Sequence, residues 1–140
     1  MITSIDTNIL IALWDDSDAM NLKAQRALDL AYEQGSLVVS GAVFVELLAA
    51  PGRTSRMIEN FLSDTETAID WPVDETIWRT AGRAYQNYAK RRRKQKQPEP
   101  KRFVVDFLIG AHALERGYRL LTLDNRIFKA AFPNLRVAGA

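Results

Sequence analysis

A chain of 140 residues, 47% hydrophobic and 26% charged, is sized for one globular domain of its own core and leaves little room for disorder. It has no cysteine, which excludes disulfides, thiolate zinc sites, iron–sulfur clusters and cysteine nucleophiles, and its single histidine, His112, excludes poly-histidine metal sites. The net charge is +2, but Lys90 to Arg102 carries eight Lys/Arg and one Glu, a local +7 that leaves −5 for the remainder. Such a strip is either a solvated helix end running into a loop or a contact surface for phosphates.

The elements alternate short apolar runs with longer helical patterns. Ile2–Ile5 reads as a strand ending at Asp6, and Asn8–Leu13 as the helix after it. Asp18–Glu33 is expected to be helical, with Met20, Ala24, Ala27, Leu28 and Ala31 on one face and Gly35 as the stop. Leu37–Ser40 is a strand. Ser40 or Gly41 starts a helix that runs to Ala50, before the Pro51-Gly52 break. Met57, Ile58, Phe61 and Leu62 mark another helix, and Ala68–Val73 a further strand. Asp74 is a good cap for a long helix bearing Ile77, Trp78, Ala81, Ala84, Tyr85, Tyr88 and Ala89 at helical spacing. That helix enters the basic strip and is expected to end at Pro98 and Pro100. Phe103–Arg116 is helical up to Gly117, Arg119–Leu123 a strand, Ile127–Phe132 a short helix and Leu135–Val137 a last strand. Strands separated by helices imply a parallel sheet covered on both faces. No segment has the basic leader of a signal peptide or the length of a membrane span, so a cytosolic protein is expected.

Four acids sit where acids are costly. Asp6 (TSIDTNILIAL), Glu46 (GAVFVELLAA), Asp106 (FVVDFLIGAHAL) and Asp124 (LLTLDNRIF) each interrupt an apolar run, whereas Asp15, Asp16, Asp18, Asp64, Glu66, Glu75 and Glu99 have polar company. Buried carboxylates require a partner or a bound cation, and only Arg102 and Arg126 stand nearby in sequence. Asp6 and Asp124 follow strands at their carboxyl ends, where ligands collect in open α/β sheets. Glu46 follows the second strand and Asp106 opens its helix, so all four can meet at one sheet edge. A convergence of acids calls for a hard dication with oxygen ligands, Mg²⁺ or Mn²⁺. Taken singly, each has a plainer reading, as a helix cap or a half-exposed helix residue. Asp70, in AIDWPV, also breaks an apolar run and is read as the outward face of an edge strand. His112 falls away from Asp106 on their helix and reads as a packing or surface residue. Trp14, Trp71 and Trp78 read as core or interface.

DTNIL, VFVELL, VVDFLIGAHAL and LLTLDNRIF, in this order, resemble the four acidic motifs of the PIN domain, and the LIGAHAL and LTLD segments look like the VapC-type toxins of toxin–antitoxin pairs. The resemblance runs from Ile2 to about Val137. It implies a three-layer α/β/α sandwich around a mostly parallel central sheet, in a single domain over residues 1–140. It also implies a divalent-metal-dependent endoribonuclease using Mg²⁺ or Mn²⁺. Asp6, Glu46, Asp106 and Asp124 match the acidic quartet as catalytic and metal-binding residues, with Asp6 and Asp106 as first-choice ligands. Thr7, Asn8 and Thr122 match accompanying positions, and Asn125 is expected to hold a water or an acid. The implied partners are an RNA substrate, an antitoxin that lays an Arg over the acids, and a second copy of the chain; no membrane is involved. The alternatives are a stand-alone RNA-processing PIN nuclease and a catalytically lapsed RNA-binding or interaction module. A haloacid-dehalogenase-type phosphotransferase is disfavoured because Asn8 stands where its second Asp belongs, and a receiver domain because Asp74 and Lys129 fit its positions poorly.

Overall fold

The computed structural model describes residues 1–96 and 102–139, so Pro98 and Pro100, the expected end of the basic helix, lie outside the described residues. The first half of the chain comprises β1 (Ile2–Ile5), α1 (Thr7–Leu13), α2 (Asn21–Gln34), β2 (Ser36–Ser40), α3 (Gly41–Leu48), α4 (Ser55–Asp64) and β3 (Thr67–Asp70). The second half comprises α5 (Glu75–Lys94), α6 (Val104–Arg116), β4 (Arg119–Thr122), α7 (Asn125–Ala131) and β5 (Val137–Gly139).

All five strands are parallel, in the order β3-β2-β1-β4-β5. Winding proceeds outward from β1 through β2 to β3, then returns across β1 to β4 and β5. That reversal places helices on both faces and makes the expected three-layer α/β/α sandwich. It also makes the carboxyl ends of β1 and β4 neighbours: Ile5 pairs with Leu121, and the Asp6 N–H donates to the Leu121 carbonyl at 2.9 Å. The crevice of such a sheet opens at this switch point.

The strands are apolar because both their faces are covered. Ile5, Val39 and Leu120 are fully buried, as are Ile9, Leu10, Val43, Leu47, Ile58, Leu62 and Ile77 on the helices around them. Burying each such aliphatic side chain stabilises the fold by roughly 1.5–3 kcal/mol. The largely apolar α6 buries Phe107, Ile109, Ala111 and Ala113, with Tyr85 edge-on to the Phe107 ring at 4.9 Å. Gly110 lets the chain's last buried aromatic seat against this helix, since a Cβ there would lie 2.2 Å from the Phe132 ring. Asp74 caps α5 through the Ile77 N–H, and α2 and α6 stop at Gly35 and Gly117 as expected.

Boundaries moved for identifiable reasons. The strand expected over Ala68–Val73 is Thr67–Asp70, because Pro72 lacks an N–H for the ladder. The helix expected from Asp18 begins at Asn21, because the Asp18 carboxylate accepts from the Met20 N–H and closes a turn first. The last strand is Val137–Gly139; Leu135 is instead buried in the loop before it. Trp71 and Trp78 are each 54% exposed and outside the core, while Trp14 packs edge-on to Phe61 beneath the Arg53 guanidinium. No helix among the described residues is long and apolar enough to cross a membrane.

Candidate active site

A cavity of about 400 Å³ opens at the switch point, and Asp6, Glu46, Asp106 and Asp124 all line it. They come from four different elements. Asp6 follows β1 and caps α1, Glu46 lies within α3, Asp106 is in the first turn of α6, and Asp124 follows β4. The plainer reading as a helix cap holds in part for Asp6, whose Oδ1 accepts from the Thr7 N–H at 2.7 Å. It fails for Asp124, which occupies the cap position of α7 without capping it.

Asp6 is 5% exposed, and its second oxygen accepts from the Thr122 hydroxyl at 2.8 Å. Burial pushes its pKa up from 3.8 to about 6, and the charges of Asp106 and Glu46 push the same way; the Thr122 and Thr7 hydrogen bonds oppose them. Burial likewise raises Glu46, against the Thr7 hydroxyl, which donates to Glu46 Oε1 at 2.6 Å, and Asp106 adds its repulsion. Asp106 is raised first by burial and then by Asp124, with Arg102 and a backbone hydrogen bond to Phe103 acting to lower it. Asp106 is thus electrostatically coupled to the three other acids.

The polar frame is built from short side chains. The Thr122 hydroxyl donates to Asp6 and accepts from the Asp124 N–H at 3.0 Å and from Asn8 Nδ2 at 3.3 Å. Asn8 Oδ1 accepts from the Leu123 N–H at 3.1 Å, clamping α1 to the turn after β4. Among the described residues one cation enters the cavity: Arg102 Nη2 lies 2.5 Å from Asp124 Oδ2.

Asp18 also lines the cavity, though its polar neighbours gave no reason to single it out. Asn125 stays outside it; its amide packs over Gly139, where a Cβ would sit 2.6 Å from Nδ2. Asp70 is a correction as well. It does end an edge strand, but its carboxylate turns toward α6 and β4, accepting from the Tyr118 hydroxyl at 3.0 Å and His112 Nε2 at 3.1 Å, with Arg116 Nε 3.7 Å away. His112 is 1% exposed and its pKa is lowered by burial, so it is a buried donor to Asp70 and does not line the acid pocket.

The chemistry of the donor set fits a divalent cation. Its charged groups facing the cavity are oxygen donors except Arg102, and burial with like-charge repulsion holds three of the carboxyls above their ordinary range. Among the described residues no three acids stand close enough together to form a ready metal-binding group. The arrangement is therefore a shared anionic pocket rather than a closed cage.

A family profile described as PIN domain matches residues 4–133. No curated protein sequence matches the chain. Among solved structures, VapBC-1 from nontypeable Haemophilus influenzae is similar with a TM-score of 0.69 at 23% identity, over 99% of this chain and 98% of that one. A toxin–antitoxin complex from Klebsiella pneumoniae matches with a TM-score of 0.64 at 20% identity, over 97% and 95%. Mycobacterium tuberculosis VapC20, described as a sarcin–ricin loop cleaving toxin, matches at 0.57 and 17% identity, over 96% and 98%. These likenesses are likenesses of fold.

Proposed function

Because the chain belongs to the PIN domain family, we propose that it is a single-domain (residues 1–140), divalent-metal-dependent endoribonuclease acting as the toxin of a toxin–antitoxin pair. The observation that carries this reading is the starved acid pocket: carboxylates from four elements, three raised by burial and repulsion, with one arginine among them. Asp6, Glu46, Asp106 and Asp124 are the residues that would hold Mg²⁺ or Mn²⁺. Bound there, such an ion would supply a lowered pKa to a water molecule and positive charge against the phosphate oxygens.

The chain's own groups do the rest. Asp6 is fixed by Thr7 and Thr122 on its two oxygens, so its position is set before substrate arrives. Glu46 keeps Oε2 free of the Thr7 bond, and its role in this reading is to ligate the cation or orient the attacking water. Attack by water leaves a 5′-phosphate and a 3′-hydroxyl. The alternative attack by the ribose 2′-hydroxyl needs an acid–base pair, and His112, buried on Asp70, supplies neither.

The toxin reading is supported by the fold shared with toxin–antitoxin proteins. A cognate antitoxin is expected to cover the pocket and present an arginine to the acids; Arg102 already makes such a pair with Asp124 from within the chain. A homodimer belongs to the same proposal, and mass measurement in solution tests it. A stand-alone processing nuclease would show the same pocket, and a gene encoding a small DNA-binding protein beside this one separates the two.

The deciding experiment is sequencing of RNA ends produced by the purified protein with Mg²⁺ or Mn²⁺. Ends bearing 5′-phosphate, lost in EDTA and in Asp6→Asn, are expected. Equal cutting by Asp6→Asn in EDTA would overturn the assignment.

A further inference from the structure

A second cavity, of about 300 Å³, lies where the last turns of α5 meet α7, and its charged lining is Arg91, Arg92, Arg102 and Arg126. Arg102 and Ile127 line both this cleft and the acid pocket, so the two share a wall. We propose that the cleft binds the phosphodiester backbone of the RNA substrate and leads it into the acid pocket. This rests on the nuclease reading given above.

Three features point to a polyphosphate strand. First, four arginines line one concavity, and no carboxylate among the described residues lines it. Arg102 is already paired with Asp124 on the shared wall, and Arg91 and Arg126 bring further positive charge to the same concavity, which favours an anion there. Second, the choice of cation is selective. The end of α5 reads Lys90-Arg91-Arg92-Arg93-Lys94, yet only Arg91 and Arg92 of this run line the cleft, and Arg102 and Arg126 complete it. Guanidinium groups bind phosphate oxygens in pairs, which an ammonium does not do. Third, Tyr88 lines the cleft with its ring held against Phe107 at 5.4 Å, offering a fixed aromatic surface to a nucleobase. An acidic peptide would answer the charge but has no use for the aromatic ring or for the shared wall.

Lys90 and Arg93 lie on the same helix, carry the same charge and stay outside the cleft. They serve as the control. The comparison is between Arg91→Gln/Arg126→Gln and Lys90→Gln/Arg93→Gln, each in an Asp6→Asn background so that RNA is bound without being cut. The probe is a fluorescein-labelled, single-stranded RNA of mixed sequence, titrated at several salt concentrations, with circular dichroism to verify folding. Each lost phosphate contact flattens the plot of log K against log salt by about 0.7. The cleft pair is therefore expected to flatten it by about 1.4 and the control pair by much less.

Equal slopes for the two pairs would overturn the proposal, because the strip would then act only as diffuse charge. So would unchanged RNA binding together with lost binding of poly-glutamate, which would make the cleft a protein site. Cleavage of RNA by the unsubstituted protein is measured separately. If it cuts none, the nuclease reading fails while the binding slopes still decide the cleft.

Discussion

Asp70 and Asp6 both end strands and both break apolar runs, yet the fold treats them differently. Asp70, at the β3 edge, receives the Tyr118 hydroxyl, His112 Nε2 and the nearby Arg116 guanidinium. Asp6, at the central β1, receives one hydroxyl and one backbone N–H, and faces the charges of Asp106 and Glu46. The first carboxylate is supplied by its own chain and acts as a structural tie between β3, α6 and β4. The second is undersupplied, and it keeps its proton to about pH 6. For these two acids, the donors and cation supplied by the chain separate a tie from a site; Asp124 stays in the pocket although Arg102 pairs with it.

The sharpest way to break this contrast is to neutralise the undersupplied group. Asp6→Asn and Asp106→Asn are expected to cut metal-dependent RNA cleavage by at least about 10²–10³-fold while circular dichroism is unchanged. Asp70→Ala should leave the cleavage rate unaltered.

Stability gives the second test, with the sign opposite at the two sites. A carboxyl raised in the folded state still holds its proton where the unfolded chain has lost it. Metal-free stability therefore falls as pH rises from about 4 to about 6, and the whole penalty stands above that window. The span from 3.8 to about 6 corresponds to about 3 kcal/mol. Asp6→Asn in EDTA should recover up to that amount above pH 6, less whatever its weaker hydrogen bonds forfeit, and gain nothing near pH 4. Urea melts at the two pH values measure it. In the unsubstituted protein, the same proton competes with the cation, so the apparent Mn²⁺ affinity should weaken as pH falls below about 6.

Removing the supplied acid should do the reverse. Asp70→Ala strands the Tyr118 hydroxyl and the buried His112 nitrogen, at a cost of about 1–3 kcal/mol at neutral pH. The smallest effect is expected at Arg102→Gln. The Arg102–Asp124 pair is about one-third exposed on both sides, so its loss should destabilise the fold by less than about 1 kcal/mol. Because Arg102 opposes the rise at Asp106, the Asp106 carboxyl should then titrate higher, as NMR of its side chain would report.

The parallel sheet and the meeting of Asp6, Glu46, Asp106 and Asp124 were legible because local signals carry them: apolar runs, helix caps at Ser40 and Asp74, and acids that break the runs. What stayed hidden depends on contacts between distant segments. Asp70 looked outward because its donors arrive from residues 42 to 48 positions later. Asp18 looked ordinary because it reaches the pocket through the turn between α1 and α2, not through an apolar run. Asn125 sits beside Asp124 in sequence, but the first turn of α7 points its amide at β5 instead. The end of β3 shifted because Pro72 cannot donate to the ladder, and the start of α2 because the Asp18 side chain closes a turn first.

The hydrogen bond from Thr122 to Asp6 spans 116 residues. While the polypeptide is still emerging from the ribosome, with β1, β2 and β3 already made, the central strand has an open flank and half of its acids have no counterpart. The full set of four acids meets only after β4 pairs beside β1, so a product truncated after β3 carries Asp6 and Glu46 without Asp106 and Asp124.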